Sequence, residues 1–140
     1  MWIYEKKLQY PVNIKQTNAQ LAKAIITQYG GPDGELGASL RYLSQRIITP
    51  YDIVKGVLTD VGTEELGHLE MICAIVHQLT KNLTVDEIKQ QGFEDYYVDH
   101  TIGIYPISAS GIPFSAGGFQ SKGDPVTDLV EDLAADGAIA

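Results

Sequence analysis

The sequence predicts an all-α protein whose core is a helical bundle. Apolar residues recur at helical spacing through most of residues 18–81. The second half of this range continues without a break for about 30 residues, which corresponds to a helix of roughly 45 Å. Residues that favour helix starts precede three shorter segments, at Asn18, Thr84 and Asp124. One long helix flanked by shorter ones suits a bundle better than a small compact fold.

Composition limits the classes of function. The chain has 140 residues, which we interpret as a single domain over residues 1–140, and apolar residues make up 44% of it. A net charge of −8 argues against nucleic acid binding, because phosphates need a basic surface. No apolar run reaches the roughly 18 residues of a membrane span, and the N-terminus lacks the layout of a secretory signal. The single cysteine, Cys73, excludes an internal disulfide framework and favours a reducing, cytoplasmic location.

The first third of the chain is predicted to form an arm followed by two helices. Residues 1–16 lack helical periodicity and are interpreted as an extended arm whose aromatic side chains pack on another part of the protein. Asn18 is expected to cap a short helix that reaches about Tyr29, and the Gly- and Pro-rich residues 30–34 should interrupt it. A second helix resumes at Glu35, with these apolar residues directed to the core: Leu36, Ala38, Leu40, Leu43 and Ile47.

The long helix is predicted to begin at Thr49 and Pro50, as N-cap and first helical residue, and to end near Lys81. A capping box at Thr84 indicates another short helix directly after it. The residues that keep helical spacing along the long helix are Ile53, Val54, Val57, Leu58, Val61, Leu66, Leu69, Ile72, Cys73, Ile75, Val76 and Leu79.

The C-terminal part divides into an irregular segment and a helix. Residues 93–123 are rich in Gly, Ser, Tyr and Pro without a clear period, and their length indicates a binding or packing role. Asp124 and Pro125 suit the N-cap and the first position of a third bundle helix, residues 124–137. The apolar stripe of this helix is formed by Val126, Leu129, Val130 and Leu133.

A candidate metal site lies on the two central helices. Glu65 and His68 are three residues apart, so both side chains leave the same helix face about one turn apart and can bind one metal ion. Glu35 lies on the preceding helix, and in an antiparallel pair it would face the same seam. Tyr42, seven residues after Glu35, returns to nearly the same face and can hydrogen-bond near it. The alternative is that both glutamates are solvated and His68 is an ordinary core histidine.

Other residues of ligand type are predicted to serve different purposes. Glu64 and Glu70 point away from that face and should be surface charges. His77 lies on the opposite side of the long helix, and His100 lies in the irregular segment. Cys73 is interpreted as a small buried apolar residue. None of them is expected to join the candidate site.

Five segments of the chain resemble those of a known family, the manganese catalases. The blocks YGGPDGEL at 29–36, DVGTEELGHLEM at 60–71 and GIPFSA at 111–116 are similar to the family's. Residues 1–12 and the block QSKGDP at 120–125 resemble the shorter, spore-coat branch of the family, the CotJC type. The likeness extends over nearly the whole chain, and the ordered blocks are far more specific than a Glu-x-x-His pair alone.

This resemblance implies a ferritin-like four-helix bundle with two manganese ions that disproportionates hydrogen peroxide to water and oxygen. It further implies that Glu35 and His68 are terminal ligands, that Glu65 is a bridging carboxylate, and that Tyr42 hydrogen-bonds close to the ligands. Carboxylate and imidazole ligands suit manganese or iron better than metals that prefer soft ligands. A di-iron oxidase of the ferritin-like group is therefore an alternative, as is a metal-free structural protein of the spore coat.

The third helix departs from the family pattern. Asp136 falls where the family places a further glutamate ligand, and the family's following arginine, fourth helix and second histidine ligand are missing from the sequence. Three explanations are open: the natural chain is longer, the chain is a coat protein that has lost its site, or two copies share one site. The long apolar faces at residues 51–80 and 125–136 predict a homo-oligomer. The expected location is the cytoplasm or the spore coat, where other coat proteins would be partners.

Overall fold

The structure, a computed structural model, is helical throughout the part of the chain that it describes. That part comprises residues 3, 5, 7–30, 33–93, 109–112 and 123–139. Within it the chain forms six α-helices and no strand: α1 Ala19–Ile25, α2 Thr27–Gly30, α3 Glu35–Ile48, α4 Asp52–Thr80, α5 Val85–Gln90 and α6 Pro125–Ile139. The all-α prediction is thereby confirmed. None of the described helices is long and apolar enough to cross a membrane.

Residues 7–17 form a non-helical arm that lies along α4. Gln9 Nε2 donates a hydrogen bond to Glu64 Oε1 at 3.0 Å. Further along the arm, Gln78 Nε2 of α4 donates to the carbonyl oxygen of Val12 at 2.9 Å. The arm is therefore attached to the long helix by polar side chains at two places.

A first core cluster joins α1, α4 and α5. Asn18 Oδ1 accepts a hydrogen bond from the Leu21 amide at 2.9 Å, which confirms the predicted cap of α1. The predicted single helix to Tyr29 is two helices, because α1 ends before Ile26 and α2 begins after it. The capping box at Thr84 is confirmed as the start of α5. The buried members of the cluster are Ala19, Ala22, Ile26, Ile72, Val76, Leu79, Ile88 and Phe93.

The helices α3 and α4 form an antiparallel hairpin. Ser39 Oγ donates to the carbonyl oxygen of Gly62 at 2.6 Å, and Arg46 Nη1 lies 3.4 Å from Thr59 Oγ1. Residue numbers therefore fall along α4 as they rise along α3. This arrangement brings the first turn of α3 beside the middle of α4.

The predicted start of the long helix is wrong by two residues. The helix α4 begins at Asp52, and its N-cap is Tyr51 without a side-chain hydrogen bond. Thr49 instead ends α3, because its amide donates to the carbonyl oxygen of Gln45 at 3.1 Å. The last turn of α3 thus holds the residue that was expected to cap α4, and Pro50 lies in the connection.

The helix α6 buries acidic residues and exposes its apolar stripe. Its predicted cap is confirmed, since Asp124 Oδ1 accepts from the Thr127 amide at 2.8 Å. The predicted apolar stripe lies on the outer side of α6, where Val126 is 72% exposed and Leu133 is 74% exposed. Asp128 and Asp132 are buried instead. Gln45 Nε2 of α3 donates to Asp132 Oδ1 at 2.9 Å, so a polar contact holds α6 on α3.

Several apolar residues assigned to the core or the arm packing are exposed: Tyr10, Leu40, Ile47, Ile53, Val57 and Cys73. The buried positions of α3 are mostly small or polar: Gly37, Ala38, Ser39, Arg41, Tyr42 and Gln45. Leu40 and Ile47 lie away from this face, whereas Leu43 is half-buried against Gly62 of α4. Trp2 and Tyr4, the other arm aromatics, lie outside the described residues.

Candidate metal centre

The side chains of Glu35, Glu65 and His68 meet at the seam between α3 and α4. His68 Nδ1 lies 2.7 Å from Glu65 Oε2 and 3.6 Å from Glu35 Oε2. One ligand-type atom from each residue lies within 4.8 Å of the others. Only 10% of the Glu65 side chain is exposed, whereas 33% of the His68 side chain is accessible. The cluster is thus buried on one side and open on the other.

The first turn of α3 positions Glu35. This glutamate is the first residue of the helix, where free amide groups favour a negative charge. Two residues earlier, Asp33 Oδ1 lies 3.7 Å from Nη2 of the buried Arg41, which ties the turn before α3 to the helix. The sequence signal for this pair is Arg41 itself, a basic residue among the apolar positions of α3 that did not enter the predicted site.

The acidic surroundings raise the pKa of His68. Burial acts to lower this pKa, but the hydrogen bond to Glu65 and the negative charges of Glu65, Glu35 and Glu64 outweigh burial. The pKa of His68 therefore lies above its ordinary value of 6.5. The same charges that favour a proton on the imidazole would also favour a bound cation, and the two compete for Nδ1.

The three residues fit one first-row transition-metal ion. Ligand atoms at about 2.1 Å from such an ion lie about 3 Å from one another at right angles. The observed separations of 2.7 and 3.6 Å bracket that value. Two carboxylates and one imidazole are hard and borderline ligands of the kind that suits manganese or iron. A dinuclear carboxylate site takes a Glu from each of two helices and a Glu-x-x-His motif from each of two others, so this cluster is half of one.

The roles of two further predicted site residues, Tyr42 and Asp136, stay predictions. Tyr42 is buried on α3 beside Ala38 and Leu58, and its hydrogen bond near Glu35 stays a prediction. Asp136 lies in α6, but its side chain is outside the described residues. Its role as a ligand therefore also stays a prediction.

The residues expected to lie away from the site are mostly where the sequence indicated. Glu64 is exposed and accepts the hydrogen bond from Gln9, and His77 is exposed on α4. Glu70 is half-buried, and His100 lies outside the described residues. The prediction that Cys73 is buried is wrong, because this residue is exposed on α4.

Comparison with known proteins decides which family has this hairpin and cluster. The family model described as manganese containing catalase matches residues 1–138. The chain belongs to the manganese catalase family. Protein CotJC from Bacillus subtilis is 54% identical over 97% of this chain and 71% of its own length. A probable manganese catalase from Clostridium acetobutylicum is 30% identical over 97% of this chain and 61% of its own length.

The family fold is also found by structural comparison. KatB, a manganese catalase from Anabaena, matches with a TM-score of 0.84 and 28% identity, covering 99% of this chain and 62% of KatB. The predicted ferritin-like, all-α fold is confirmed by this match and by the described helices. The chain thus spans about three fifths of KatB and of the Clostridium relative, and 71% of CotJC.

Proposed function

We propose that the chain is a manganese-binding, catalase-type protein that disproportionates hydrogen peroxide to water and oxygen. The convergence of Glu35, Glu65 and His68 at the seam of α3 and α4 carries this proposal. Membership of the manganese catalase family supports the choice of metal and of substrate. The partly accessible His68 leaves the cluster open to a small molecule such as hydrogen peroxide.

The residues of the cluster would have different roles in binding metal and in transferring protons. Glu35 and Glu65 supply the negative charge that compensates a dication, and His68 supplies a neutral imidazole once it has lost its proton. Rising pH therefore favours metal binding. Two bound manganese ions would supply the redox chemistry by which one peroxide molecule is oxidised and another reduced. A carboxylate of the cluster would accept the proton that peroxide loses. Tyr42 would orient a ligand by hydrogen bonding.

A second copy of the chain would complete the dinuclear site. Two copies, each contributing Glu35, Glu65 and His68, supply the four carboxylates and two imidazoles of a full site, and a two-fold axis would pass between the two ions. Asp136 of α6 is an additional carboxylate in this proposal. The exposed apolar stripe of α6 supports association of copies. Two manganese ions per pair of chains, with a dimeric or larger mass by light scattering, are expected; manganese-loaded protein with a monomeric mass contradicts the pairing.

The test of the function measures metal and oxygen on the same preparation. Protein produced with added manganese is expected to retain the metal after desalting, and to release oxygen when hydrogen peroxide is added. His68→Ala should lose both properties. His77→Ala is the matched control, because His77 is an exposed histidine of the same helix. Equal metal content in the two variants would overturn the assignment of the site, and oxygen release without bound metal would overturn the mechanism.

A metal-free structural protein of the spore coat is the second candidate function. It is favoured by the 54% identity to CotJC, which far exceeds the 30% identity to the probable manganese catalase. Under this alternative, the purified protein contains neither manganese nor iron and is recovered from spores with coat proteins. Iron in place of manganese, with slow oxygen release, would instead indicate a di-iron oxidase.

A further inference from the structure

The helices α3 and α4 come close together at Gly62, one turn from the metal cluster. Gly62 of α4 faces α3, and a Cβ at this position would lie 3.0 Å from Leu43 Cγ and Cδ2 and 3.1 Å from Tyr42 Cβ. Carbon atoms in ordinary contact are about 3.5–4.0 Å apart. Ser39, almost wholly buried, donates from Oγ to the carbonyl oxygen of Gly62 at 2.6 Å. The two helices are thus in close contact at this place and are joined there by a hydrogen bond.

We propose that Gly62 and Ser39 are positioning residues of the metal centre, which set the separation between Glu35 on α3 and the Glu65–His68 pair on α4. This inference rests on the proposed function, because it assigns the two residues a task only if the cluster binds metal. Neither residue would bind the ion itself, because the Ser39 hydroxyl is bonded to Gly62 and glycine has no side chain.

The spacing along both helices supports this assignment. Ser39 is four residues after Glu35, and Gly62 is three residues before Glu65, so the contact is one turn from each carboxylate. A side chain at position 62 would make its neighbours give by a few tenths of an ångström. Metal–ligand distances tolerate only about ±0.2 Å. Because Tyr42 Cβ is attached directly to the α3 backbone, a shift of that size would move α3 relative to α4 by more than this tolerance.

Two pairs of variants test the inference on the full chain. Gly62→Ala introduces the missing Cβ, and Gly56→Ala is its control on the same helix, because a Cβ at position 56 meets nothing within 4 Å. Ser39→Ala removes the interhelical hydrogen bond. Ser44→Ala is its control, since the Ser44 hydroxyl donates only within its own helix, to the carbonyl oxygen of Leu40 at 2.6 Å.

The readout is the affinity for Mn²⁺ alone, followed by the loss of the free-ion electron paramagnetic resonance signal during titration of metal-free protein. Gly62→Ala and Ser39→Ala should raise the Kd at least about tenfold, as the loss of groups supporting a metal site does. Both controls should keep the wild-type Kd. Circular dichroism of the metal-free variants should show wild-type helix content. If Gly62→Ala does not fold, Ser39→Ala alone tests the inference.

A compensating variant separates positioning from stability. Leu43→Ala added to Gly62→Ala makes room at the contact while removing further packing. Positioning predicts that the double variant is less stable than Gly62→Ala yet recovers part of its Mn²⁺ affinity. Wild-type affinity in both Gly62→Ala and Ser39→Ala would overturn the inference while leaving the proposed function standing. Failure of the wild-type chain and of both controls to bind Mn²⁺ would instead overturn the proposed function, and this inference with it.

Discussion

The attachment of α6 to α3 is predicted to depend on the side chain of Gln45. Its Nε2 donates to the buried carboxylate of Asp132 at 2.9 Å, and both residues are buried. Gln45→Leu keeps the volume but removes this donor from a buried carboxyl group, which costs roughly 2–3 kcal/mol. With about 2.1 cal/mol/K of unfolding entropy per residue, a 140-residue chain loses about 7–10 °C in Tm. Thermal unfolding of the metal-free protein should show this fall in Tm, and urea unfolding should show the loss of free energy of unfolding.

An exposed bond of the same chemistry provides the control. Gln9 Nε2 donates to Glu64 Oε1 at 3.0 Å, but on the surface, where water replaces a lost partner. Gln9→Leu should therefore change the free energy of unfolding by less than about 0.5 kcal/mol. The reasoning is refuted if Gln45→Leu is as mild as Gln9→Leu, because the interior position of Asp132 would then contribute nothing to the cost.

Three further predictions concern a core residue, the cluster and the cysteine. Phe93 is 0% exposed, so Phe93→Ala should lower the free energy of unfolding by about 3–5 kcal/mol in a urea titration. Because the folded-state pKa of His68 is raised, its protonation stabilises the metal-free protein below pH 6.5, and this contribution is lost as pH rises through the raised pKa. His68→Gln should show a flatter dependence of Tm on pH in chelator, and equal curves would contradict the shift. Cys73 should react fully with a thiol reagent without denaturant, whereas a need for denaturant would mean that it is covered.

Local signals in the sequence located most helix starts correctly. The caps at Asn18, Thr84 and Asp124 all form, because each side chain needs only an amide two or three residues further along. Thr49 and Pro50 carry the same kind of signal and mislead, since Thr49 is held by the last turn of α3. A cap motif identifies a residue that can start a helix, but the same residue can instead form the last hydrogen bond of the preceding helix.

The candidate site was predictable in part for a similar reason. Helix geometry alone places Glu65 and His68 on one face, and their 2.7 Å contact follows from it. The approach of Glu35 to His68 at 3.6 Å requires the antiparallel hairpin, which the sequence only suggested. The closeness of that hairpin depends on Gly62 and Ser39, and neither carries a signature that distinguishes it from other small residues in a helix.

The burial of α6 shows what periodicity cannot provide. A stripe of apolar residues identifies one side of a helix, but not the side that meets its neighbour. Here α3 presents Gln45 to α6, so the acidic side of α6, with Asp128 and Asp132, is the one that is buried. The polar partner lies 87 residues away in the sequence, beyond the reach of any local pattern.

The exposed apolar stripe of α6 lacks a covering surface, and the metal cluster supplies only half of a dinuclear ligand set. A further helical surface with an apolar face could provide both. If a second copy supplies both, association and dinuclear metal binding must be lost together. Leu133→Glu places a charge on the stripe and should reduce both mass and bound manganese, while Val85→Glu, at an exposed apolar position of α5, should change neither. If the ligands come instead from other residues, Leu133→Glu will change the mass without changing the manganese content, and the two features will have separate explanations.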